Sequence, residues 1–209
     1  MMIARIWPDV AIFLVWDIWI VTWLAAALWA NRTVKRAGFG REWPYRVIAL
    51  AGFVLLLFTV IHASHGRVSF GTPWDILGNH LWPPPPLALG WAMVVLAMVG
   101  ILFAWWARIY LGRLWSGSIT RKEGHRVVDT GPYAIVRHPI YTGILTAAVA
   151  TAIVTGTVHT VLGAFLLIIA YWMKARLEER FLREELGPEN YDSYSRRVPM
   201  LLPFGAKSA

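Results

Sequence analysis

The sequence predicts an all-α, polytopic integral membrane protein of about five transmembrane helices, the last two forming a C-terminal helical hairpin. Three observations carry that prediction. Of the 209 residues, 57% are hydrophobic and only 15% charged, with a mean hydropathy of +0.52; a soluble domain carries about a quarter charged residues, so lipid is the solvent for much of this surface. Apolar runs near the roughly 20 residues that cross about 30 Å of hydrocarbon recur along the chain. Cation-rich and cation-poor connections alternate between those runs, as the positive-inside rule requires of a polytopic chain.

The first run, residues 10–30, continues past twenty apolar positions behind a single cation, Arg5, which reads as a retained span and not a cleaved signal. Residues 47–63 and 87–107 form the second and third. "WPPPP" at 82–86 is a stiff polyproline II approach to the third. Residues 140–156 and 158–173 are shorter and are separated only by a turn at 156–159, which makes them a tight antiparallel hairpin. Residues 1–107 thus hold helices one to three, and residues 108–209 hold helices four and five with a polar C-terminal segment, in one structural domain overall.

Arg32, Lys35, Arg36, Arg41 and Arg46 follow the first run; Arg108, Arg113, Arg121, Lys122, Arg126 and Arg137 follow the third; Lys174, Arg176, Arg180, Arg183, Arg196, Arg197 and Lys207 follow the fifth. Residues 64–86 carry only Arg67. The N-terminus is therefore expected outside and the C-terminus in the cytoplasm, across the inner membrane if the cell is prokaryotic. The net charge of +8 follows from topology and anionic lipid, so no nucleic-acid partner is implied. The absence of cysteine excludes disulfides, thiolate ligands and nucleophilic thiols. His62, His65 and His80 gather near the outer end of the second span without carboxylates, so no metal site is expected. Asp17 stands deep in the first span, where a carboxyl must be protonated, paired to another span or part of a substrate path. Trp7, Trp29, Trp43, Trp82 and Trp115 fall near span ends and read as interfacial belts.

Two constellations carry chemistry. In "TGPYAIVRHPIYTG", residues 130–143, Thr130, Gly131 and Pro132 signal a turn, His138 is pushed out of the α region by the following proline, and Pro139 suits a first helical position. Arg137 and His138 therefore sit at a helix N-terminus, where an anion is favoured, and Arg137 offers a bidentate fork. Gly143, in the first turn, permits close approach of a backbone or a ligand. Beyond the fifth run, "KARLEERFLREELGPENYDSYSRRVPMLLPF" reads as a helix leaving the membrane, stopped at Gly187 and Pro188, then restarted with Tyr191, Tyr194 and Arg197 at three-residue spacing on one face. The hairpin must return Glu178 and Glu179 beside Arg137 and His138. Cationic and anionic clusters facing each other at a membrane mouth suit a zwitterionic ligand.

The order His125, Gly131, Tyr133, Arg137-His138-Pro139-Ile140-Tyr141-Thr142-Gly143, Glu178-Glu179, Gly187, Tyr191, Tyr194 resembles the isoprenylcysteine carboxyl methyltransferase family and the related phospholipid methyltransferases, over roughly residues 108–204. "ARIYLGRLWSGSI" resembles the prokaryotic members, while "VPMLLPF" departs from the eukaryotic ending. The resemblance implies S-adenosylmethionine in a cytosolic cofactor pocket, held by His125, Tyr133, Arg137, His138, Pro139, Tyr141 and Glu178 or Glu179. It implies Glu179, Tyr194 and Arg197 near the reacting ends, no metal, and a lipophilic or lipidated acceptor reached from membrane lipid. Carboxyl O-methylation of an isoprenylcysteine-like acceptor needs no base, because a carboxylate is already ionised. N-methylation of phosphatidylethanolamine needs one, and small hydrophobic molecules remain alternatives. A transporter or structural protein with a degenerate pocket is the non-enzymatic alternative. Oligomeric state does not follow from the sequence.

Overall fold

The computed structural model describes residues 7–28, 33–36, 38–63, 78–116, 118, 120–122 and 128–204. Among them the order is α1 (Pro8–Ala27), β1 (Thr33–Arg36), α2 (Phe39–Ala63), α3 (Leu87–Leu111), β2 (Thr120–Lys122), α4 (Pro139–Thr155), α5 (Val158–Leu186) and α6 (Pro188–Arg197), with 3₁₀ turns at Gly112–Leu114 and Gly131–Ala134. The protein is an all-α integral membrane protein apart from one small antiparallel ribbon, β1 with β2, that ties the segment after α1 to the segment after α3. Among the described residues three helices, Pro8–Ala26, Leu87–Leu111 and Val158–Glu185, are long and apolar enough to cross a membrane, and Pro139–Thr155 is a shorter apolar helix. Large side chains such as Ile18, Val21, Leu102 and Phe165 face outward, as lipid-solvated helices require.

α2 begins at Phe39, two turns before the apolar run at residue 47. Its polar first turns are satisfied locally: Glu42, itself buried, pairs with Arg46 four residues on and accepts from the Tyr45 hydroxyl at 3.0 Å. Pro44 lies in the second turn, early enough to spare most of the helical ladder. α5 is likewise longer than its membrane stretch and runs unbroken to Leu186. There Gly187, at φ +90°, releases the chain and Pro188 opens α6.

The helices approach closely where neither has a side chain. A Cβ on Gly143 of α4 would lie 2.2 Å from the Gly100 carbonyl of α3, and one on Gly163 of α5 would lie 2.8 Å from the Gly52 carbonyl of α2. The partner of Gly143 is thus a neighbouring backbone.

At the end away from Arg137, α4 and α5 are joined by Gly156 and Thr157, with Gly156 at φ +63°. The strand-like segment before α3 covers this turn: Leu81 N donates to Gly156 O at 2.7 Å, Val158 N to Asn79 O at 3.0 Å and Trp82 Nε1 to Ile153 O at 3.1 Å. Beneath it Thr155, Thr157, His159 and Thr160 form a buried hydroxyl–imidazole cluster with oxygen–oxygen distances of 2.6 and 2.9 Å. His80 Nδ1 meets Thr155 O at 3.0 Å; His65 and residues 64–77 lie outside the described residues. Asp17 is exposed on the outer face of α1, beside buried Trp16, whose Nε1 donates to Thr151 Oγ1 at 2.9 Å. Among the described residues it faces neither another helix nor an internal path.

Candidate functional site

The C-terminal residues after α6 build the site by closing over the start of α4. Arg137 N donates to Pro199 O at 2.9 Å, His138 N to Met200 O at 3.1 Å and Thr142 Oγ1 to Leu201 O at 2.6 Å. "VPMLL" therefore lies along "RHPIYT", using amides that a helix N-terminus leaves without helical partners. Arg137 is the staple of this arrangement. Its Nη1 donates to Ser195 O at 2.8 Å and Val198 O at 2.6 Å, and its Nε and Nη2 grip both oxygens of Glu179 at 2.7 and 3.3 Å. His138 Nε2 reaches Glu179 Oε1 at 3.1 Å, which requires the proton on Nε2. The return of α5 beside α4 does bring the acidic and basic pairs together, and it spends Glu179 and most of Arg137 on holding the fold.

Glu178, one residue earlier, points elsewhere. Its Oε2 accepts from the Tyr141 hydroxyl at 2.5 Å, and Tyr141 is stacked on His138 with centroids 5.2 Å apart and planes 4° from parallel. Lys174, one turn before Glu178, carries its ammonium over the Tyr141 ring at 5.0 Å. These groups form the polar end of a cavity of about 400 Å³, within the size range of small-molecule sites. Tyr133, Arg137, Pro139, Ser116, Ser118, Tyr191 and Tyr194 complete that end, and Trp19, Trp23, Leu24, Leu111, Ile140 and Ile144 line an apolar arm running into the bundle. Trp19 Nε1, buried in that arm, has no hydrogen-bond partner among the described residues.

Tyr194 of α6 acts as a neutral donor. Burial pushes the Tyr191 and Tyr194 hydroxyls well above the ordinary phenol range, and Tyr194 donates to Tyr133 O at 2.8 Å, anchoring α6 to the 3₁₀ turn. Gly131 in that turn has φ +59°, and a Cβ there would strike the Tyr110 ring at 2.7 Å.

Of the residues expected at the site, Tyr133, Arg137, His138, Pro139, Tyr141, Glu178 and Tyr194 line the cavity, whereas His125 lies outside the described residues. Glu179 does not line it; it forms the wall behind Arg137 and faces a separate groove. Arg197 is displaced. Its side chain is 65% exposed and pairs with Asp129 at 3.2 Å. The expected shared face fails because a helix turns about 100° per residue, so each three-residue step drifts about 60°. Tyr191, Tyr194 and Val198 stay inward and Arg197 swings out.

Sequence reading missed Lys174, Trp19 and Trp23, whose only signal was periodicity with Glu178 and with the apolar face of α1. It also took Trp115 for an interfacial belt, whereas the ring sits 4.2 Å beneath the Arg108 guanidinium and lines the cavity. Arg108, almost fully buried, donates to Ala26 O at 2.7 Å and Gly112 O at 2.8 Å and so ties the ends of α1 and α3 around the apolar arm.

The stretch that builds this cavity also carries the likeness to known proteins. The chain is 34% identical over 88 residues to protein-S-isoprenylcysteine O-methyltransferase B of Arabidopsis thaliana, covering 41% of this chain and 44% of the relative. It is 32% identical over 116 residues to a probable protein-S-isoprenylcysteine O-methyltransferase of Oryza sativa subsp. indica, 53% of this chain and 59% of the relative. It is 30% identical over 113 residues to the cobalt-zinc-cadmium resistance protein CzcN of Cupriavidus metallidurans, 53% of this chain and 49% of the relative. The chain thus spans about half the length of the curated relatives it matches. Residues 93–184, from α3 through the Arg137–His138 pair to the glutamates of α5, match the isoprenylcysteine carboxyl methyltransferase (ICMT) family.

Proposed function

We propose that the protein is a membrane methyltransferase that uses S-adenosylmethionine to methylate a lipophilic carboxylate of the isoprenylcysteine kind. The observation that carries this reading is the two-ended cavity, with charged and aromatic groups around Tyr141 and an apolar arm between α1, α3 and α4. Such a cavity suits a polar donor meeting an apolar acceptor. The donor set fits the cofactor: Glu178 and the tyrosine rings favour its cationic groups, Lys174 its carboxylate, and Ser116 and Ser118 its hydroxyls. When bound, the cofactor supplies an electrophilic methyl group on a sulfonium.

The chain's own residues position and exclude water. Glu179 and Arg137 hold the mouth rigid, His138 fixes the Tyr141 ring by stacking, and Trp19, Trp23 and Ile144 keep the acceptor's arm dry. A dry, pre-arranged cavity favours a step in which opposite charges vanish. A carboxylate acceptor is ionised at neutral pH and asks no base of the site. Lys174 is the α5 cation that lines the cavity, whereas Arg197 pairs with Asp129 outside it, so Lys174 and not Arg197 would hold a carboxylate there.

The cation-rich helix ends are also the cavity end of the bundle, so that end faces the cytoplasm and the N-terminus lies outside. A cysteine-free chain allows single-cysteine labelling at positions 36 and 72 to check this, with opposite sides of sealed membranes as the expected result. The function is tested with purified protein in detergent. Calorimetry should show binding of S-adenosylmethionine, and labelled methyl should pass to a farnesylcysteine analogue. Absence of cofactor binding rejects the enzyme reading, and methylation of phosphatidylethanolamine alone replaces the carboxylate by an amine acceptor.

A further inference from the structure

A second concavity, of about 300 Å³, lies between α5 and α6 on the far side of the Glu179–Arg137 pair, and the methyl-transfer reading makes no use of it. Four arginines line it, Arg176, Arg180 and Arg183 from α5 and Arg196 from α6, against two carboxylates, Glu179 and Asp192. Both carboxylates are engaged. Glu179 is held by Arg137 and His138, and Asp192 accepts from Arg183 at 2.7 Å. Arg176, Arg180 and Arg196 stay exposed, so the groove presents an excess of positive charge.

What lies above the groove indicates its occupant. Phe165, Ile168 and Trp172, exposed by 57, 41 and 51%, run up the same side of α5 toward Arg176 and Arg180. At about 100° and 1.5 Å per residue, positions 165, 168, 172, 176, 180 and 183 form one stripe, and residue 176 stands about 6 Å beyond residue 172. The Arg176 guanidinium lies 6.0 Å from the Trp172 ring, the arrangement of an indole and a cation at headgroup level. An apolar stripe that turns without interruption into a cationic groove matches a molecule with acyl chains below and a phosphate above. A free anion would have no use for the stripe.

We propose that this groove binds the phosphate of an anionic phospholipid whose chains lie along Phe165, Ile168 and Trp172. The proposal does not depend on the methyl-transfer reading, and its test reads binding alone. Native mass spectrometry of the full chain, titrated with phosphatidylglycerol or with phosphatidylcholine of the same acyl chains, should show adducts of the anionic lipid at roughly a hundredfold lower concentration, since each of the three exposed arginines near a headgroup contributes about 1 kcal/mol. The double substitution Arg176→Gln/Arg180→Gln should remove most of that preference, and Arg41→Gln, on α2, should leave it. If the double variant does not fold, Arg196→Gln alone should reduce the preference by a smaller factor. Equal affinity of the wild type for the two lipids, or a preference untouched by the arginine variants, overturns the proposal. Displacement of phosphatidylglycerol by millimolar inorganic phosphate does so too, since it would show a small-anion site.

Discussion

The two ends of the helix bundle bury polar groups in opposite ways. At the Gly156 turn, Thr155, Thr157, Thr160 and His159 satisfy one another and the Leu55 carbonyl, and strand-like residues 79–82 lie over them. At the Arg137 end the buried groups are ionic: Glu179 is held by Arg137 and His138, while the Tyr141–Glu178 pair and Lys174 line the cavity. A network of neutral hydroxyls can close on itself because each group both donates and accepts. Carboxylate and guanidinium each do only one, so an ionic cluster depends on partners of opposite kind, and here part of that cluster lines a cavity. Burial of polar side chains alone does not distinguish a site from a plug; what matters is whether they also line open volume.

The strongest way to break this contrast is to remove the staple. Arg137→Ala strands the Glu179 carboxylate, and Glu179→Ala strands a guanidinium whose side chain is only 4% exposed. Each should cost about 3–5 kcal/mol and lower the thermal midpoint of the protein in detergent, followed by tryptophan fluorescence. An unchanged midpoint with abolished cofactor binding would make Arg137 a ligand.

The next effect belongs to Glu178→Gln. It keeps an acceptor for the Tyr141 hydroxyl, so the fold should hold, while affinity for S-adenosylhomocysteine in calorimetry should fall by about 1–3 kcal/mol through loss of a charge-assisted partner. Equal losses in stability and affinity would erase the distinction drawn between the two adjacent glutamates.

At the closed end, Thr160→Val removes one hydroxyl from a neutral network within the membrane. A stability loss of about 0.6 kcal/mol, at most about 1.7, is expected with cofactor affinity untouched. A change in affinity would mean that the two ends are coupled through α4 and α5.

The smallest effect is expected of Arg197→Gln. An exposed arginine paired with a half-exposed aspartate should change stability by no more than about 0.5 kcal/mol and leave methyl transfer unaltered. A marked fall in turnover would return Arg197 to the site.

Much of this molecule was legible in residue order. Apolar runs placed five helices among the described residues, three of them long and apolar enough to cross a membrane, because lipid demands a minimum of uninterrupted apolar length. Pro139, Gly156, Gly187 and Pro188 marked their ends through φ preferences that need no partner. The adjacency of Arg137 to Glu179 followed from a hairpin too short to do otherwise.

Direction and depth were not legible, since both are set by neighbours far along the chain. The start of α2 at Phe39 depended on Glu42 finding Tyr45 and Arg46, and the role of Gly143 on Gly100 standing opposite. Two consecutive glutamates differ by about 100° around a helix, so only the packed position of α5 could decide that Glu178 meets the cavity and Glu179 the staple. The same rotation carried Arg197 out to Asp129 and left Lys174 facing in. The chain by itself determined that helices form, where they stop and which must pair, because those are local propensities and solvent requirements. Which side chain on each helix reaches the cavity was decided by the tertiary structure, through the rotation at which each helix packs against the others.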